Sequence, residues 1–165
     1  MKYMITHVCH PFSPVWDSES RVLVLGSFPS VRSREEGFYY GHPRNRFWPM
    51  LERIYGVTLD SIEARKSFLL EHRIALWDSI AECDIEGSGD STIRNVRAND
   101  IAALVSASSV RRILANGTSA CNVYMKYVYP DTGLVAVRLP STSPANAAWR
   151  LEDLIRVWSC QLPPV

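Results

Sequence analysis

The chain has 165 residues, 47% of them hydrophobic, which is enough length and apolar material for one domain with a substantial core. A formal net charge of +1 argues against a protein that wraps nucleic acid through many phosphate contacts. Four widely spaced cysteines with no CxxC pair give no zinc or iron–sulfur pattern, and no stretch reaches membrane-spanning length. The plain expectation is a reduced intracellular protein, cytoplasmic or nucleoid-associated.

Residues 1–20 contain His10-Pro11-Phe12 and Ser13-Pro14-Val15-Trp16. Two prolines read as an extended lead-in to a single domain spanning 1–165. His7, Cys9 and His10 cluster in HVCH, but neither a fourth ligand nor a rigid platform is evident, so no metal is expected. Arg21 to Gly26 follows as the first sheet strand. Its unbroken apolar run, Val22 to Leu25, fits a strand covered on both faces. Arg32 to Gly37 is polar and reads as a mobile loop.

From Asn45 to Tyr55 the spacing of Phe47, Met50, Leu51 and Ile54 predicts a helix, and Asp60 opens another. Ile74 to Trp77 is a short apolar segment ending at Asp78, followed by a helical turn and the loop Glu86 to Asp90. Asn99 or Asp100 caps a helix running through Val105. Val110 to Ala115 is a buried strand stopped by Asn116-Gly117. Thr118 to Tyr127 is helical, and Gly133 to Leu139 supplies the last strand. Pro144 to Cys160 reads as a final helix with Ser143 as its cap. Strands alternating with helices predict an α/β protein, a three-layer α/β/α sandwich with a short, mostly parallel sheet.

Charge is uneven: residues 74–90 hold five acids and no Lys or Arg, whereas 91–150 hold seven bases and two acids. Chemistry concentrates elsewhere. Tyr40 to Trp48 packs a phenol, an imidazole, an amide, two guanidinium groups and an indole into nine residues. Two loops leaving strands, Ser27-Phe28-Pro29-Ser30 and Pro140-Ser141-Thr142-Ser143-Pro144, offer hydroxyls and backbone N–H groups suited to phosphate.

RVLVLGSFPS, GFYYGHPRNRFW and VRLPSTSPAN resemble the uracil-DNA glycosylase superfamily, in particular its hypoxanthine (deoxyinosine) DNA glycosylase branch. The resemblance covers roughly residues 10–160. It implies a monofunctional enzyme that flips a deaminated base out of DNA and hydrolyses its N-glycosidic bond, as a monomer and with no cofactor. Gly26 to Ser30 match the first motif, where Ser27 and Phe28 would meet the base. Other branches carry an activating Asn or Asp in this motif, and Ser27 is no strong base. In the hypoxanthine branch the catalytic role falls to the Asn of NRFW, Asn45 here, whose amide oxygen can orient water. Tyr40 matches the stacking platform. Asp78 matches the base-reading position and, as the one carboxylate there, can also activate water. Leu139 replaces a polar residue before the second motif, which weakens the case for uracil removal.

His42, Arg44, Arg46, Ser141 and Ser143 are expected at the DNA backbone, and Thr142, Pro144, Ala145 and Asn146 at the duplex. Each site also has a structural reading: Tyr40 as core, Asn45 and Asp78 as helix caps, His42 as a loop support, Trp48 as core and His72 as a satisfied helix end. Two other functions fit the same loops, a non-catalytic module that binds DNA lesions and a small-molecule protein that holds a nucleotide phosphate.

Overall fold

In the computed structural model, which describes residues 4–165, the apolar runs become a sheet of four parallel strands. In chain order the elements are β1 (Ile5–Cys9), β2 (Val22–Gly26), α1 (Val31–Glu36), α2 (Phe47–Tyr55), α3 (Ile62–Glu71), β3 (Ile74–Asp78) and β4 (Ile80–Glu86). There follow β5 (Arg94–Ala98), α4 (Ile101–Ala107), β6 (Arg112–Asn116), α5 (Thr118–Tyr127), α6 (Tyr129–Thr132), β7 (Ala136–Leu139) and α7 (Leu151–Trp158). The parallel sheet has the order β3-β2-β6-β7.

Successive side chains on a strand point to opposite faces, and β2 uses both. Val22 and Val24 join Phe47, Met50 and Leu51 of α2 and Leu154 and Trp158 of α7. Leu23 and Leu25 join Ile101 and Leu104 of α4 and Tyr124 of α5. Each face thus has its own helical layer, which is the expected three-layer sandwich. Trp48 is core, with its indole N–H donated to the Tyr39 carbonyl at 2.9 Å. His72 is a satisfied helix end, Nδ1 lying 2.9 Å from the Phe68 carbonyl.

The lead-in does more than extend. Residues 1–3 lie outside the described residues, but β1 pairs antiparallel with β4, and β4 with β5, in a second sheet of order β1-β4-β5. This corrects the helical turn expected after Asp78. Its buried residues, Ile80, Cys83 and Ile85, pack against Phe28, and burial pushes the Cys83 thiol up to about 11.

Two more expectations change. The stretch read as a mobile loop is α1, a six-residue helix. Ser30 Oγ accepts the Ser33 N–H at its start, and Gly37 closes it at φ +74°, where glycine has no steric penalty. The last helix begins at Leu151, not Pro144, because the backbone carbonyls of Thr142, Ser143, Asn146 and Trp149 are engaged by a side chain from elsewhere.

Candidate active site

Parallel register brings the strand ends to one level. Gly26 is paired with Asp78, and Asn116 with Leu139, at the carboxyl ends of neighbouring strands. Ligands of open α/β sheets bind at such an edge. The cleft here has a volume of about 1010 Å³, and Ser27, Tyr40, His42, Asn45, Asp78 and Ser141 all line it.

Gly26 forms the floor. A Cβ there would collide with Asp78 Oδ1 and come within 3.0 Å of the Tyr40 hydroxyl oxygen, so glycine is required by close approach. Asp78 is 3% exposed. Its Oδ2 lies 2.8 Å from His10 Nε2, and His10 Nδ1 lies 2.8 Å from the Phe12 carbonyl oxygen. Asp78 Oδ1 faces the glycine floor. In the sequence His10 stands out only as part of HVCH. In the fold it turns away from that group, and the donor atoms of His7, Cys9 and Glu82 lie within 4.8 Å of one another without it.

The Tyr40 ring stands against Phe47 with centroids 4.3 Å apart and the planes tilted by 41°. Its backbone adopts φ +54°, a left-handed conformation costly for a bulky residue. The hydroxyl oxygen is buried, with the Asn116 amide close enough to favour its ionised form slightly but no partner at full hydrogen-bond geometry among the described residues. Burial first, and then the Asp78 charge, hold both Tyr39 and Tyr40 far above the usual phenol range, so both remain neutral.

Asn45 is built into a polar chain. Its Oδ1 accepts the Phe47 N–H and the Thr142 hydroxyl, each at 2.9 Å. The backbone N–H is an obligate donor, which fixes the amide orientation. Thr142 N–H in turn donates to Asn116 Oδ1, and Asn116 Nδ2 to Thr142 Oγ1, both at 3.0 Å. The expectation that Asn45 orients water through its oxygen is therefore corrected. That oxygen already has two donors, and the Nδ2 hydrogens are what the amide can offer.

Several expected DNA contacts also move. Arg46 is spent within the protein: Nε donates to the Thr142 carbonyl at 3.1 Å, Nη2 to those of Ser143 and Asn146 at 2.8 and 3.3 Å, and Nη1 to that of Trp149. It clamps the second motif loop instead of meeting phosphate. Thr142, expected to enter the duplex, is fully buried. Asn146 Nδ2 donates one hydrogen to the Ser141 carbonyl at 3.0 Å, leaving its second N–H and its Oδ1 for other partners. Arg44 and Ala145 are exposed, and Pro144 is half-buried at the cleft. His42 Nδ1 accepts the Arg44 N–H at 3.0 Å, a loop-supporting role. Ser141 Oγ accepts from Ser143 N–H and Ser143 Oγ from Ala145 N–H, at 3.1 and 3.2 Å, so the turn is pre-shaped while both hydroxyl hydrogens remain to be donated.

One carboxylate reaches the first motif from far along the chain. Ser27 Oγ lies 3.1 and 3.0 Å from the two carboxylate oxygens of Asp90. Asp90 opens onto the cleft, yet the walls strip enough water from it to raise its proton affinity. The Ser27 hydrogen bond opposes that effect, and the Asp78 charge adds to it. Phe28 is 8% exposed, its ring packed on the second sheet, so only its backbone is offered to a ligand. Sequence reasoning missed His10, Asp90 and Asn116. Asn116 did carry a signal, a polar residue closing an apolar strand just as Asp78 does.

Residues 14–159 match the family described as the uracil DNA glycosylase superfamily. A hypoxanthine DNA glycosylase of Methanosarcina barkeri is 37% identical over 109 residues, 64% of this chain and 69% of that protein. One from Methanosarcina acetivorans is 34% identical over 138 residues, 82% of this chain and 86% of that protein. A solution NMR structure described as that of a candidate uracil DNA glycosylase from Methanosarcina acetivorans superposes with a TM-score of 0.79 at 32% identity, covering 96% of each chain.

Proposed function

The chain belongs to the uracil DNA glycosylase superfamily, and from that premise we propose that it hydrolyses the N-glycosidic bond of deaminated bases in DNA, hypoxanthine first and uracil more weakly. The observation that carries this reading is a single cleft, lined by both motif loops, with an aromatic wall and a buried carboxylate at its floor.

The deaminated nucleotide leaves the stack at a cost of a few kcal/mol, and stacking on an aromatic ring returns about 1–3 kcal/mol. Tyr40 supplies that ring. Asp78 Oδ1 accepts the ring N–H of the flipped base. As the C–N bond breaks, negative charge on the base oxygen is met by backbone N–H groups of the Gly26 to Ser30 turn. The hydroxyls of Ser141 and Ser143, with Arg44, hold the DNA backbone, while Pro144, Ala145 and Asn146 face the duplex. Asn45 Nδ2 donates to the water or to a phosphate oxygen. With Asn45 Oδ1 filled, the proton of the attacking water goes to a carboxylate. Asp90, opening onto the cleft with lone pairs to spare, is suited to take it. Every residue invoked comes from one copy of the chain.

Single-turnover incubation with deoxyinosine- and deoxyuridine-containing oligonucleotides, with free base detected by mass, tests the proposal. Release of hypoxanthine, strongly reduced by Asn45→Ala, is expected. Tight, salt-sensitive binding of those oligonucleotides with no base released would instead favour a lesion-binding module.

A further inference from the structure

The two ring nitrogens of His10 have different partners, and the difference locates a proton. Nδ1 lies 2.8 Å from the Phe12 carbonyl oxygen, which can only accept, so Nδ1 carries a hydrogen. Nε2 lies 2.8 Å from Asp78 Oδ2. A bare nitrogen facing a bare carboxylate oxygen at that separation would repel, so this contact holds a second hydrogen, bonded to one atom or the other. In either arrangement it sits between Nε2 and Oδ2. Asp78 Oδ1 is left without one.

The surroundings keep the arrangement in place. The His10 and Asp78 side chains are each 4% exposed. Phe12, Phe28 and Tyr39 surround the imidazole at centroid separations of 4.6, 6.1 and 6.1 Å. The Asp78 backbone is fixed by β3 and by Asn99 Nδ2, which donates to its carbonyl at 2.8 Å. Oδ1 therefore meets the cleft over Gly26 from a side chain that cannot easily turn.

We propose that His10 is a specificity-determining positioning residue: by holding the shared hydrogen on the Oδ2 side, it keeps Asp78 Oδ1 an acceptor. Deamination converts adenine N1, and equally cytosine N3, from a bare acceptor into an N–H donor. An oxygen that only accepts binds either of these deaminated rings and repels its parent. Without His10 the carboxyl could carry its hydrogen on Oδ1, and the distinction would be lost. The inference rests on the reading of Asp78 as the base-reading group.

Two measurements test it. In ¹⁵N spectra of the intact protein, His10 Nδ1 is expected to carry a hydrogen, and Asp78→Asn to shift Nε2 more than Nδ1; an unprotonated Nδ1 overturns the proposal. Selectivity is then read with single-stranded oligonucleotides carrying either deoxyinosine or purine 2′-deoxyribonucleoside, whose N1 is bare, by single-turnover excision and by competition binding. His10→Phe, checked for folding by thermal melting, is expected to lower the preference for deoxyinosine by about tenfold or more. His10→Gln, whose amide can still donate to Oδ2, should retain most of it. Unchanged preference in His10→Phe, or equal proportional losses on both substrates in both variants, overturns the proposal. If the wild type releases no hypoxanthine, the glycosylase reading fails on its own, while the ¹⁵N measurement still decides where the hydrogen sits.

Discussion

Gly26 and Asp78 are register partners on adjacent parallel strands, so close that a methyl group on the glycine would collide with the carboxylate oxygen facing the cleft. Gly26→Ala must therefore displace Asp78, Tyr40 or both. His10 restrains the first and Phe47 the second. Excision should fall by about 10²-fold, the scale of an ångström-sized misplacement in a site. Single-turnover rates beside thermal melting would show the loss of rate exceeding any loss of stability.

Arg44 and Arg46 are two residues apart and should respond differently. Among the described residues, the Arg46 guanidinium donates to the backbone carbonyls of Thr142 and Ser143 in the second motif loop and of Asn146 and Trp149 beyond it. Hydrogen bonds from a charged donor contribute about 1.5–3 kcal/mol each, so Arg46→Ala should lower the melting temperature markedly. Arg44→Ala should leave melting unchanged and weaken DNA binding. It should also reduce the slope of log affinity against log salt by about one phosphate contact. Equilibrium binding at several salt concentrations separates the two.

The Tyr40 hydroxyl is buried without a partner at full hydrogen-bond geometry among the described residues. Removing an unpaired polar group removes its desolvation cost, so Tyr40→Phe should be as stable as the wild type or more so by about 1 kcal/mol. It should also keep its excision rate. Tyr40→Ala removes the platform and should weaken binding of the flipped base by about 1–3 kcal/mol. Denaturation midpoints and single-turnover rates at varied enzyme concentration test both halves.

Asp90 binds its proton more tightly in the fold than an ordinary aspartate, chiefly because the cleft walls desolvate it. Between the ordinary aspartate value and that raised one, the folded state holds more protons than the unfolded state. The contribution of Asp90 to stability therefore falls as pH rises through this window and is level on either side. Asp90→Asn, whose amide oxygen can still accept from Ser27, should melt higher than the wild type above the window and equally below it. The excision rate should show its acid limb above the ordinary aspartate range, and Asp90→Asn should abolish that limb. Melting and rate profiles from about pH 3 to 8 would decide.

The parallel sheet was legible because a strand covered on both faces must be apolar at every position, as Val22 to Leu25 is. A cap at Asn99 or Asp100 was legible because short side-chain oxygens satisfy local N–H groups, and Asp100 is the residue that fills it. The second sheet was not. In β4 acids alternate with Ile80, Cys83 and Ile85, and its partner His7 is 77 residues from Asp84. Helix α1 has no apolar periodicity and exists by virtue of its two ends. Of the site, Tyr40, Asn45, Asp78 and Ser141 were named from their motifs, and they meet in one cleft. His10 and Asp90 were not, because each joins the site from far along the chain: 68 residues to Asp78 and 63 to Ser27. Arg46 was misassigned because nothing local distinguishes a guanidinium aimed at phosphate from one aimed at carbonyls.

Arg46 follows Asn45 directly and grips the turn nearly a hundred positions further on, so neither region can drift alone. On the proposed function, a shift in the turn set against the duplex would pull on the segment set against the sugar. Changes that broaden the range of lesions accepted are therefore expected to arise as matched pairs across this tie, and lineages that lose the arginine should have rebuilt both partners.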